Sequence, residues 1–265
     1  MIKKKYVSIA KNTMQHTLAY RSTYFISLLG SFIFIFSMLY LWKAIFSGRE
    51  QLSGFTWEQM KVYLLITFLT NSLISWYSET KISRKIVSGD VVMDLLKPVD
   101  FQKARIAETV GSSLLEGGIA AVMIAVILFF TQGFMLPPSA GSGILFLISL
   151  GASLLIKFGI IYLASLTCFW SSNGIGIAWT RAALTNFFSG ALVPIPFFPN
   201  WLQTIAYGLP FQGIVHIPAS IYLGKVTEAQ LLQSLALQLF WVIALWTLGI
   251  PMWKWAVRQV TIHGG

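Results

Sequence analysis

The chain has 265 residues, of which 56% are hydrophobic and only 11% charged, against about 25% charged in an average soluble domain. No charged residue occurs from Ser22 to Trp42, Gly117 to Ile156, Phe158 to Thr180, Ala182 to Gly224 or Ala229 to Trp253, and charge-free apolar stretches of about 18 or more residues read as membrane spans. This excludes a soluble enzyme, a disordered chain and a nucleic-acid-binding domain, and it makes the net charge of +10 a question of membrane topology.

The first predicted element is the basic segment 1–21. Val7, Ala10, Met14 and Leu18 share one helical face there, and Lys3, Lys4, Lys5, Lys11 and Arg21 surround it. This reads as a helix lying on the cytoplasmic membrane surface, with its lysines toward lipid headgroups. The alternative is a basic flank that only sets topology. Six spans are predicted to follow, at 22–46, 61–78, 107–131, 143–170, 174–193 and 230–253. The first apolar run is too long for a signal-peptide core, so no cleavable leader is expected. Pro137-Pro138 separates spans three and four, and Ser171-Ser172-Asn173-Gly174 separates four and five.

Between spans two and three, segment 79–108 mixes both charge signs with apolar residues at helical spacing: Ile82, Ile86, Val91, Val92, Leu95 and Leu96. Asp90 is expected to cap a helix running to Lys97, Pro98 to stop it, and Asp100 to cap the helix leading into span three. So elaborate an element suggests contact with another protein; the plain alternative is a solvated connecting hairpin. Between spans five and six, Pro194, Pro196, Pro199, Pro210 and Pro218 break the charge-free run. Residues 194–223 are therefore expected to form a re-entrant hairpin on the outer side, two short helices split at Gly208-Leu209-Pro210. Irregular backbone at membrane depth survives only where protein or water covers it.

Basic residues orient the spans. Lys3, Lys4, Lys5, Lys11, Arg21, Lys81, Arg84, Lys85, Lys97, Lys103, Arg105, Arg181, Lys254 and Arg258 fall on one side, against Lys43, Arg49, Lys61 and Lys225 on the other. The positive-inside rule puts both termini in the cytoplasm. Trp42, Trp57 and Trp201 then fall at outer edges, and Trp76, Trp170, Trp179, Trp253 and Trp255 at inner ones.

Two charges fall inside spans, Glu116 and Lys157. A structural ion pair between them is the leading reading; independent snorkelling and a place on a transport path are the alternatives. No metal cluster is expected, and a single cysteine, Cys168, allows no intrachain disulfide. No G-x-x-x-x-G-K-[ST] stretch occurs, so no P-loop is present. Ser189 and His216 are the best available pair for a serine intramembrane protease, without a G-x-S context to support them.

The order of these elements resembles the membrane subunits of type-2 ABC transporters. Arg84-Lys85-Ile86-Val87-Ser88-Gly89-Asp90 with Asp94-Leu95-Leu96-Lys97-Pro98-Val99 is similar to the cytoplasmic signature of one bacterial drug- and antibiotic-exporter-like branch. Gly190 to Pro194, Phe198-Pro199, Leu209-Pro210-Phe211 and Pro218 are similar to its outer signature, and Gly264-Gly265 to its ending. The resemblance implies one all-α permease domain over 1–265, in a bacterial cell membrane. It implies an ATPase-coupling role for Arg84, Ile86, Val87, Gly89, Asp90, Leu95, Leu96 and Pro98. An outer-gate role falls on Pro194, Pro196, Phe198, Pro199, Trp201, Pro210 and Phe211. The expected partners are cytosolic ABC ATPase subunits, which would bind ATP and Mg2+, a second permease subunit and membrane lipids. The expected activity is ATP-driven export of an amphipathic compound, with no enzymatic activity in this chain. A stand-alone secondary transporter or a membrane assembly factor is the competing reading.

Overall fold

The computed structural model describes the backbone of residues 2–19, 21–131 and 135–259, and the side chains of 4–18, 29–129 and 135–259. Gly264-Gly265 and the side chains of Lys3 and Arg21 lie outside the described residues. The described residues are helical, with no β-strand. In chain order the helices are α1 (Ile2–Ala19), α2 (Arg21–Phe46), α3 (Trp57–Ser72), α4 (Trp76–Val87), α5 (Val91–Leu95), α6 (Phe101–Thr131), α7 (Ala140–Leu166), α8 (Gly174–Phe188), α9 (Asn200–Gly208), α10 (His216–Tyr222) and α11 (Glu228–Ala256).

Local side-chain chemistry sets many of the helix starts. Thr56 with Gln59, and Thr227 with Gln230, form reciprocal capping boxes that open α3 and α11. Ser75, Ser139 and Asn173 cap α4, α7 and α8 by accepting from the backbone amides of Ser78, Ser142 and Gly176. Asp100 opens α6 as expected, its Oδ1 accepting from the Lys103 amide at 2.8 Å.

Four helices among the described residues are long and apolar enough to cross a membrane: α2, α6, α7 and α11. The second and fifth expected spans are shorter than the sequence suggests. Helix α3 has 16 residues and α8 has 15, so at 1.5 Å per residue each is about 22–24 Å long, against a hydrocarbon core of about 30 Å. The second expected span, 61–78, breaks after Ser72 where Asn71, Ser72 and Ser75 interrupt the apolar run; residues 76–78 belong to α4. Helix α8 ends at Phe188, before Gly190 takes φ +82°.

The main core joins α2, α3, α6, α7, α10 and α11 through buried Trp42, Tyr63, Leu65, Ala120, Ile156, Ile217 and Leu245. A second cluster at the other end gathers Ile82, Ile86, Val91, Phe101, Phe158, Tyr162 and Leu166. Helix α1 does not present Val7 and Leu18 to the protein; both are exposed. Its Ala10 side packs on α6, where the Ala10 carbonyl oxygen lies only 2.2 Å from where a Cβ on Gly111 would sit. Only glycine permits this approach.

Candidate functional site

The 79–108 segment begins with α4, which is amphipathic: Glu79, Thr80, Ile82, Ser83 and Ile86 are buried, while Tyr77 and Val87 are exposed. At Ser88-Gly89-Asp90 the chain turns, with Gly89 at φ +80°, a conformation that only glycine adopts without strain. Asp90 does not cap the next helix. Its backbone is helical, which turns the carboxylate away from the amides ahead, and its Oδ2 accepts from Ser88 Oγ at 2.7 Å instead. Helix α5 is also shorter than expected, ending at Leu95 rather than Lys97.

What fixes α5 is Asp94. Its side chain is 4% exposed and lies 2.8 Å from both Lys85 Nζ and Lys97 Nζ, with Arg105 Nη2 at 3.4 Å. Burial pushes the Asp94 carboxyl up; the hydrogen bonds from Lys85 and Lys97 and the Arg105 charge outweigh it and hold the group below the usual carboxylate range. Arg105 also pairs with Glu108 at 2.9 Å, and Glu108 with Lys81 at 2.9 Å. Phe101, beneath the Arg105 guanidinium, stacks on Trp253 of α11 at 3.9 Å. Helices α4, α5, α6 and α11 are thereby tied at the basic end of the chain. Asp94 is thus a buried anchor. Ile86 belongs to the core behind α4, while Leu95 and Leu96 face outward, with Leu96 75% exposed. Arg84 folds back onto its own helix, donating to the Tyr77 carbonyl and lying over the Tyr77 ring.

The two intramembrane charges do not bond to each other. Lys157 of α7 pairs with Glu79 at 2.9 Å and donates to the carbonyl oxygens of Asn71 and Ile74 at 2.9 and 3.1 Å. Those carbonyls belong to the free C-terminal end of α3, where a cation is favoured by the unsatisfied acceptors and the helix dipole. Glu79 also binds Arg181 of α8 at 2.5 Å. Glu116 of α6 binds the opposite side of the same break. It accepts from the Ser75 amide at 2.5 Å, from Ser75 Oγ at 3.0 Å and from Ser78 Oγ at 2.8 Å. An anion at the N-terminus of α4 and a cation at the C-terminus of α3 thus bracket one three-residue gap, each complementing the local partial charge. The expectation of a Glu116–Lys157 pair fails because each group found unfilled backbone partners nearer than the other charge. Glu79 and Arg181, essential to the arrangement, were not singled out from the sequence. The available signal was Glu79 beside an apolar run and Arg181 alone within one.

The 194–223 segment is ordered as two helical parts meeting at Gly208-Leu209-Pro210, as expected, with short 3-10 turns at Ile195–Phe197 and Pro210–Gly213. Pro196 and Pro210 sit in the first turns of these two pieces, where a missing amide costs nothing. Pro194 and Pro210 are buried, whereas Pro199 is exposed. Phe197 packs edge-on against Trp42 at 5.3 Å, Phe198 stacks on Phe187 at 5.1 Å, and Phe211 stacks on Phe188 at 6.0 Å. Trp201, placed by the resemblance in the outer gate, is 66% exposed. Buried polar contacts complete the attachment. Gln238 of α11 donates to the Gly213 carbonyl at 2.8 Å and accepts from Ser149 Oγ at 2.9 Å, and Ser153 Oγ donates to the Ile214 carbonyl at 2.6 Å. The Tyr63 hydroxyl donates to the Gly190 carbonyl at 2.9 Å, and a Cβ at Gly190 would fall 2.6 Å from that hydroxyl. Ser189 Oγ has no hydrogen-bond partner among the described residues, so no Ser189–His216 couple forms. No three His, Cys, Asp or Glu side chains among the described residues converge as a metal site.

No characterised protein matches the chain in a sequence comparison. The family model described as ABC-2 family transporter protein matches residues 23–264, which take in α3 to α11, the bracketed break and both the 79–108 and 194–223 segments. With nearly its whole length matched, the chain belongs to the ABC-2 family of membrane transporters.

Proposed function

We propose that the chain is the permease half of an ATP-driven exporter of an amphipathic compound, working with cytosolic ATPase subunits and a second permease chain. In this reading it crosses a bacterial cell membrane six times. The shorter α3 and α8 complete the set, and both termini lie in the cytoplasm, in line with the bias of basic residues. ATP and Mg2+ belong to the partner ATPase, and this chain does no chemistry of its own.

The observation that carries the reading is the 79–108 segment. The short helix α5 is pinned from behind by the ion pairs of Asp94 and presents Met93 and Leu95 outward, flanked by exposed Val87 at the end of α4 and Leu96 just after α5; Met93 is 63% exposed. An apolar patch on a rigid, charge-rimmed support is suited to a groove in a soluble partner. Ile86 serves as its backing and not as a contact. The test is Leu96→Asp, which alters an exposed side chain only. The variant is expected to insert normally while co-purification of a Walker-bearing ATPase falls at least about tenfold, the scale of losing one interface hot spot. Normal ATPase retention and full nucleotide-dependent transport would refute the coupling role. Transport by the purified chain without any ATPase would favour a secondary transporter.

A further inference from the structure

A cavity of about 360 Å³ lies between α2, α3 and α6, on the α2 side of the break between α3 and α4. Its walls combine three features. Phe34, Phe68 and Trp76 supply aromatic surface, Asn71 and Ser75 supply polar groups at the break, and Glu116 is the one charged residue among the described lining side chains. The donors to Glu116 are two hydroxyls and one backbone amide, all neutral. No described basic side chain lies within ion-pair distance of it. A carboxylate offers about four lone-pair positions, and the described donors occupy three of them.

We propose that this cavity is a binding site for an amphipathic organic cation, an aromatic or alkyl body carrying one protonated amine. The body would lie against Phe34 and Phe68. The ammonium group would donate to the remaining Glu116 position and face the Trp76 ring. Aromatic faces with a carboxylate form a setting that attracts organic cations, and a buried carboxylate in a bilayer without a cation in direct contact gains from a mobile counter-charge. The proposal rests on the transport reading and supplies its substrate class. It also places the ligand on the residues that begin α4, so occupancy would be felt at the head of the 79–108 segment.

The site can be tested on the full chain alone, in nanodiscs of uncharged phosphatidylcholine, by equilibrium dialysis with empty nanodiscs subtracted. The probes are the cationic dye rhodamine 6G and the uncharged dye Nile red. Saturable binding of rhodamine 6G is expected, with no saturable component for Nile red. Glu116→Gln, which keeps an acceptor for the Ser75 amide, should weaken rhodamine 6G about tenfold, the scale of one charge-assisted hydrogen bond. Gly30→Phe provides a second arm remote from every ion pair: Gly30 lines the cavity and has nothing within 4 Å of its Cβ position, so an aromatic ring there would fill the space. It should abolish saturable binding while leaving helicity and elution volume unchanged. Wild-type affinity in a folded Glu116→Gln protein, retained binding in Gly30→Phe, or equal saturable binding of Nile red would each overturn the proposal. If Glu116→Gln does not fold, Gly30→Phe decides. Because neither ATPase nor nucleotide is present, the result stands apart from the Leu96→Asp test of coupling.

Discussion

The segments 79–100 and 194–223 both lie outside the four long apolar helices, and they are held by opposite kinds of force. The first rests on charge: Asp94 gathers Lys85, Lys97 and Arg105, and Glu79 gathers Lys157 and Arg181. The second carries no charged side chain from Pro194 to Leu223. Aromatic stacking and buried amide and hydroxyl bonds hold it, from Phe197 on Trp42 to Gln238 on Gly213. Electrostatic attachments depend on pH and on pairing, whereas apolar ones depend on shape and volume. The first segment can therefore be loosened without reaching the second.

The largest effect is expected where charge meets burial. Glu79→Ala leaves Lys157 and Arg181 buried without their acid, at a cost of roughly 3–5 kcal/mol. Thermal melting in detergent should show it as a marked loss of stability; an unchanged melt would mean that the buried charges are supported by water instead. Phe198→Ala comes next, at about 3 kcal/mol for a buried aromatic. Trp201→Ala, three residues away but exposed, should stay within about 0.5 kcal/mol. Equal effects from the two would dissolve the distinction between the packed and open faces of this segment.

Asp94→Asn should cost about 1.5–3 kcal/mol locally, the worth of hydrogen bonds to a charged group. Hydrogen exchange should rise in 88–98 and stay unchanged in 194–223. Acid should do the same to the native chain. The folded carboxyl of Asp94 lies below its ordinary value of about 3.9, so its contribution is complete above that pH and is lost as pH falls through the lower folded value. Protection that disappears in both segments together would show a single cooperative unit and remove the contrast.

The sequence disclosed the elements controlled by local chemistry. Asp100 caps α6 because its acceptor lies within three residues of the amide it serves. The Pro-containing pieces of 194–223 meet at Leu209 because Gly208 and Pro210 act on their immediate neighbours. Where the outcome depended on contacts far along the chain, the pattern was silent or misleading. Glu79 and Arg181 are 102 positions apart and meet only because α4 packs on α8. That Lys157 and Glu116 both fall inside spans suggested that they could meet, but position in a span carries no information about direction around the helix. Nor could it reveal the break after α3, where the Asn71 and Ile74 carbonyls and the Ser75 amide drew the two charges to opposite sides. Asp90 looked like a cap by residue type, yet its backbone entered the helical region one residue early.

The close seat of α1 on α6 has a consequence for how the sequence can drift. The outward face of α1 can exchange residues more freely, since Val7 and Leu18 are exposed. Position 111 has no such freedom. Any side chain there would meet the backbone of Ala10 and not a movable side chain, so no compensating substitution on α1 could make room. Lineages that keep α1 in this place must keep glycine at 111, and loss of that glycine would mark chains in which the N-terminal helix has moved.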